Sequence, residues 1–220
     1  IYFFSRSDSE HGYELWRTDG TASGTFLLKD IWPGPNGAYP SQLTPLGGKL
    51  YFTASDAETG REIWETDGTR SGTRRVADVL PGPRSVSPSK LLVVGTSIFF
   101  GGYHPDFGYE LWQFDTVKRT IKMIEDTVPG EDSSYPIPLG LVNGELQFIA
   151  SIPGKGNTLR RIPVDISSFE RESDGVVVPD ILYGKTFGRL RGDGLYESGR
   201  GKARQRLVEN VSSRRDSKGR

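Results

Sequence analysis

Residues 14–21 read Glu14-Leu15-Trp16-Arg17-Thr18-Asp19-Gly20-Thr21, and residues 62–69 read Glu62-Ile63-Trp64-Glu65-Thr66-Asp67-Gly68-Thr69. A third copy opens as Glu110-Leu111-Trp112, so the tryptophans stand 48 residues apart both times. A fixed period of this length marks a solenoid, propeller or array, because each unit needs its neighbour to cover an apolar face.

The period extends well beyond the tryptophans. Phe4, Phe52, Phe100 and Phe148 are in phase, as are Gly12, Gly60, Gly108 and Gly156. So are Asp19, Asp67 and Asp115, and the Pro33-Gly34, Pro81-Gly82 and Pro129-Gly130 pairs. A fourth unit begins at Leu146 but carries Arg160 where the tryptophan belongs.

Residues 41–79 show the unit most clearly. Ser41–Leu46 and Lys49–Ala54 are strand-like runs joined by Gly47-Gly48, a pair that accepts the positive φ of a tight hairpin. The same place holds Gly95-Thr96 and Asn143-Gly144. A loop over Ser55–Gly60 and a strand over Arg61–Thr66 follow, then the Asp67 turn and a strand over Arg74–Val79. In that turn Asp and Thr side chains are expected to bind backbone amides. Bulky residues on both sides of each run suit a sheet covered on both faces. The expected fold is therefore all-β, a β-propeller-like array of four-stranded antiparallel blades. Its parts are a partial blade over 1–30, blades over 41–79 and 89–126, and a degenerate blade over 137–165. The inner strands are expected at Ser41–Leu46, Ser89–Val94 and Ile137–Val142. About three and a half blades do not close a ring, so further blades from a longer chain or a second copy are expected to complete it. Residues 169–220 form a Gly/Arg-rich tail whose composition predicts disorder.

Bulk properties narrow the function. Basic and acidic residues balance at 28 each, so no overall field favours nucleic acid as a partner of the repeats. No apolar run is long enough for membrane insertion, and there is no cysteine for a disulfide or thiolate metal site. The chain opens on Ile1-Tyr2-Phe3-Phe4, which reads as a strand already under way and hence as part of a longer or processed product.

Candidate chemistry collects on the end that carries the second hairpin loops, Ser5–His11, Ser55–Gly60 and Tyr103–Phe107, and the crossovers between blades. Trp32, His11, Asp56, His104 and Asp106 are the ligand-binding candidates there. Calcium is the one cofactor considered, with Asp8, Asp56 and Asp106 as ligands, because acidic loops suit an ion that takes six to eight oxygens. No calcium-loop motif accompanies them. Asp19, Asp67 and Asp115 recur in every copy, which fits turn capping better than one active site. The two histidines are out of register and no nucleophile motif occurs, so the chain is expected not to be an enzyme. The competing reading is a fragment of a propeller hydrolase or lyase acting on polysaccharide through loop carboxylates. The expected inner strands offer it only Gln42, Thr44, Ser89 and Lys90.

The copies at 14–21 and 62–69, with Gly24-Thr25, Lys29-Asp30 and Pro33-Gly34, resemble the ELWxxDGT repeat of large hyalin-like bacterial and algal proteins. The resemblance covers about residues 1–165; the third copy departs from it at Gln113-Phe114-Asp115-Thr116-Val117. It implies a secreted or cell-surface repeat protein of propeller type, acting as scaffold or adhesion module toward protein or polysaccharide, with no established catalytic activity.

Overall fold

The structure is a computed structural model and describes residues 1–76 and 85–164. Asp78, Pro81-Gly82 and the tail at 169–220 lie outside the described residues. Among the described residues, four antiparallel sheets follow one another. The first holds β1 (Tyr2–Asp8), β2 (Gly12–Thr18) and β3 (Phe26–Lys29). The second holds β4 (Ser41–Leu46), β5 (Lys49–Asp56), β6 (Gly60–Thr66) and β7 (Arg74–Arg75). The third holds β8 (Leu92–Val94), β9 (Ser97–His104), β10 (Gly108–Asp115) and β11 (Thr120–Glu125). The fourth holds β12 (Ile137–Val142), β13 (Glu145–Ile152) and β14 (Gly156–Pro163). Strands within each sheet lie in chain order. Among the described residues there is no helix long and apolar enough to cross a membrane.

The sequence period becomes strand register. Phe4 faces Trp16 across the first sheet, Phe52 faces Trp64, Phe100 faces Trp112 and Phe148 faces Arg160. The hairpin at Gly47-Gly48 has φ 58° and 74°, as a primed turn requires. Two expectations need adjustment. The second hairpin loops shrink to residues 9–11, 57–59 and 105–107, because the strands run on through Asp8, Asp56 and His104. The strand expected from Ser89 begins only at Leu92, because a one-residue register shift, like those in β4 and β12, falls in between: the Ser89 amide bonds the Gly101 carbonyl at 2.8 Å while Leu92 faces Phe99.

Apolar residues join the sheets face to face. Phe3, Leu15 and Leu28 of the first sheet bury with Leu50, Phe52 and Trp64 of the second. Tyr51 and Ile63 of the second bury with Ile98, Phe100, Trp112 and Phe114 of the third. Phe99 and Leu111 of the third bury with Leu146, Phe148 and Ala150 of the fourth. The second and third sheets are thus covered on both faces, which explains why their strands lack simple alternation.

Between sheets the chain crosses over, and a glutamate holds each crossover down. Glu14 is fully buried and its Oε1 accepts the Trp32 amide at 2.9 Å and the Ala38 amide at 3.1 Å. Glu62 accepts the Val86 amide at 2.9 Å. Glu110 accepts the Ser134 amide at 2.8 Å, the Thr127 amide at 3.0 Å and the Ser134 hydroxyl at 2.6 Å. The in-phase glycine beside each is needed for the same crossing. Gly108 has φ 65°, and a Cβ there would lie 2.1 Å from the Asp132 carbonyl oxygen.

Desolvation raises the Glu14 carboxyl to about 7, against the pull of the Trp32 and Ile31 amides, and the Asp30 charge adds to the rise. Burial also raises Glu110. A carboxyl raised in the fold contributes its full stability below its unfolded value of 4.5 and loses it as the pH climbs through about 7. The melting temperature should therefore fall across that window, and Glu14→Gln, which keeps an acceptor oxygen but cannot ionise, should flatten the fall when Tm is followed against pH. Chemical denaturation should show Trp64→Ala costing about 3–5 kcal/mol as a large-to-small core change. Trp16→Ala, at the half-buried place on the first sheet, should cost clearly less.

Candidate functional site

The short β1–β2, β5–β6 and β9–β10 turns and the crossovers share one end of the sheets, so the expected ligand-binding side chains can be located there. Asp8 closes the first turn. Its Oδ1 accepts the Glu10 amide at 2.9 Å, the His11 amide at 2.7 Å and the His11 Nδ1 at 3.0 Å. The His11 amide leads in holding the Asp8 carboxyl below its ordinary range, and the Asp8 bond raises the His11 imidazole. Asp56 does the same work in the second turn, accepting the Glu58 amide, the Thr59 amide and the Thr59 hydroxyl on Oδ1. Its Oδ2 lies 3.5 Å from Arg75. In the third turn the roles are exchanged, and the Asp106 amide donates to His104 Nδ1 at 3.2 Å. That ring stacks on Trp112, with centroids 5.9 Å apart, and tilts against Phe107 at 5.0 Å. Asp106 itself is exposed.

Asp8 is thus brought to His11 and His104 to Asp106 within their own turns, whereas Asp56 reaches Arg75 on β7. Among the described residues no group of three or more His, Cys, Asp or Glu side chains converges as a metal ion would require. Trp32 is half-buried and packs against the core between the first two sheets.

The repeated aspartates are turn caps. Asp19 Oδ1 accepts the Thr21 amide at 2.9 Å and its hydroxyl at 2.7 Å, and Thr21 in turn accepts the Gly24 amide. Asp67, Thr69 and Gly72 repeat this in the second sheet. The Thr21 and Thr69 bonds hold both carboxyls below their ordinary value. In the third sheet Asp115 caps the Val117 and Lys118 amides, a different turn, as the missing Gly-Thr pair requires.

Tyrosine pairs on this same end escaped the sequence reading. Tyr13 stacks on Tyr39 and Tyr109 on Tyr135, and in both pairs the crossover ring is exposed. The signal was available, since both pairs lie in phase with the repeat, but they alternate with Arg61 and Ser87 and so fall outside the invariant pattern.

No family model matches this chain, and neither does any curated protein. Solved structures of puromycin hydrolase, and of its S511A mutant complexed with PGG, match at 18% identity and a TM-score of 0.38. The match covers 64% of this chain and 22% of the hydrolase, so the chain aligns with about a fifth of that enzyme's length.

Proposed function

We propose that the chain is a non-catalytic β-propeller-type repeat module of an extracellular or cell-surface protein, of the ELWxxDGT kind, binding protein or polysaccharide through its turn end. One observation carries the reading. In the first three units the motif's glutamates and the turn aspartates, which recur at fixed phase, are occupied in holding the unit together. Glu14, Glu62 and Glu110 hold crossovers, and Asp19, Asp67 and Asp115 cap turns. Side chains left to meet a ligand vary from unit to unit, as they do in binding scaffolds whose frame is shared and whose loops differ.

The sheet stack also supports further sheets as partners. On the first sheet Tyr2, Phe4, Trp16 and Leu27 lie on the face turned away from the second sheet, paired as Phe4 with Trp16 and Trp16 with Leu27. The equivalent Phe52 and Trp64, and Phe100 and Trp112, are covered by the preceding sheet. A sheet of the same repeat is the natural cover for Phe4 and Trp16. On the far face of the fourth sheet Gln147 replaces the Phe3, Tyr51 and Phe99 of its fellows, beside Arg161.

Light scattering tests the proposal. The chain, of 24.3 kDa, should run as a multiple of that mass, and Trp16→Glu should return it to a single chain that still unfolds cooperatively, at a lower melting temperature. A wild-type chain that stays at one chain's mass, and binds no apolar dye, would contradict it.

A further inference from the structure

Three junctions between successive sheets repeat one local geometry at the turn end, and the chain fills them differently. At the first, Tyr13 and Tyr39 stack with centroids 5.4 Å apart and planes 25° from parallel. At the third, Tyr109 and Tyr135 stack at 5.6 Å and 23°. At the second, Arg61 and Ser87 hold the same two places.

The crossover residue is left-handed at all three, with φ 51° at Tyr39, 46° at Ser87 and 47° at Tyr135. That conformation is unfavourable for any residue with a Cβ and is rare at bulky ones. Ser87 completes the middle junction, so the fold requires the backbone conformation and not an aromatic ring. Burial does not require the ring either, since Tyr39 is 57% exposed and Tyr135 is 64% exposed. A strained, exposed ring, supplied twice at one phase of the repeat, points to a ligand.

We infer that the two tyrosine pairs are carbohydrate-binding platforms, each offering a flat ring face to a neutral pyranose; this rests on the turn end being the binding face. A pyranose carries C–H bonds on its faces and hydroxyls around its rim, so it seats on an aromatic face while its edge takes hydrogen bonds. The rings supply the face, and the polar groups around them hold it rigid. Tyr109 is fixed by its hydroxyl, which donates to the Ser87 carbonyl at 2.7 Å. Between the platforms, Arg61 donates to the Tyr39 carbonyl at 3.2 Å and to the Thr53 hydroxyl at 2.8 Å. The Ser85 and Ser87 hydroxyls are 2.9 Å apart at the same junction. Tyr103, paired with Tyr109 across β9 and β10, adds another exposed ring. Flat, exposed rings held by a hydrogen-bonded polar surround suit a sugar chain, whereas a protein anchor fills a packed, desolvated pocket. Two platforms set two repeats apart would also hold a polymer more tightly than either platform alone.

The test is calorimetric titration of the full chain with cellohexaose, laminarihexaose and chitohexaose, on wild type and on Tyr39→Ser, Tyr135→Ser and the double variant. Ser87 shows that serine completes this junction, so the variants should keep the wild-type melting temperature. At least one sugar should bind wild type, each single variant should weaken it by about tenfold, and the double variant should abolish it. Binding unchanged in the double variant would overturn the tyrosine assignment while leaving the turn end as a sugar-binding face. No binding of any of the three sugars by a wild-type chain of native melting temperature would overturn the carbohydrate assignment.

Discussion

Taking the carboxyl of Glu14, Glu62 or Glu110 out of water is unfavourable unless hydrogen bonds compensate it. The compensation comes from the amides of the next crossover: Trp32 and Ala38, then Val86, then Thr127 and Ser134. That interaction links one sheet to the path leading to the next. It explains why the crossover is the same length each time, since a slip of one residue would remove the amides from the carboxylate. It also explains the glycine two residues earlier at 12, 60 and 108, where the crossover backbone or Ser85 passes too near for a Cβ. With the crossover fixed, the apolar faces meet in one register, and Trp64 and Trp112 enter the cores between sheets.

Much of this was legible in the sequence because the repeat turns sequence phase into geometry. The hairpin at Gly47-Gly48 and the Asp19 and Asp67 turns follow from local chemistry, in which positive φ needs glycine and a short carboxylate caps nearby amides. Substitution in the fourth unit was equally readable. Arg160 stands in the tryptophan's place and pairs with Glu125 of the neighbouring sheet, so the junction survives by charge where the ring is lost.

Other features lay beyond local rules. The glutamate of the motif looked like one more polar residue, and only the return of the chain 24 residues later shows what it holds. Asp8 and Asp56 read as turn carboxylates with calcium as a weaker second use; what the sequence did not show is that the strands extend to meet them and that each Oδ1 accepts turn amides. The tyrosine pairs were hidden because they join residues of different segments, Tyr13 with Tyr39 and Tyr109 with Tyr135, and because the middle unit breaks the pattern. A search for invariant positions finds the frame. Side chains that vary at fixed phase are where a repeat scaffold carries what differs between units.

The buried glutamates tie the crossovers to the sheets, and amide hydrogen exchange measures this tie most directly. The Trp32, Ala38, Val86, Thr127 and Ser134 amides should exchange as slowly as the central strands β5 and β9, although they lie in irregular connections. Exchange at the rate of the exposed Thr21 and Val117 turns would contradict the account.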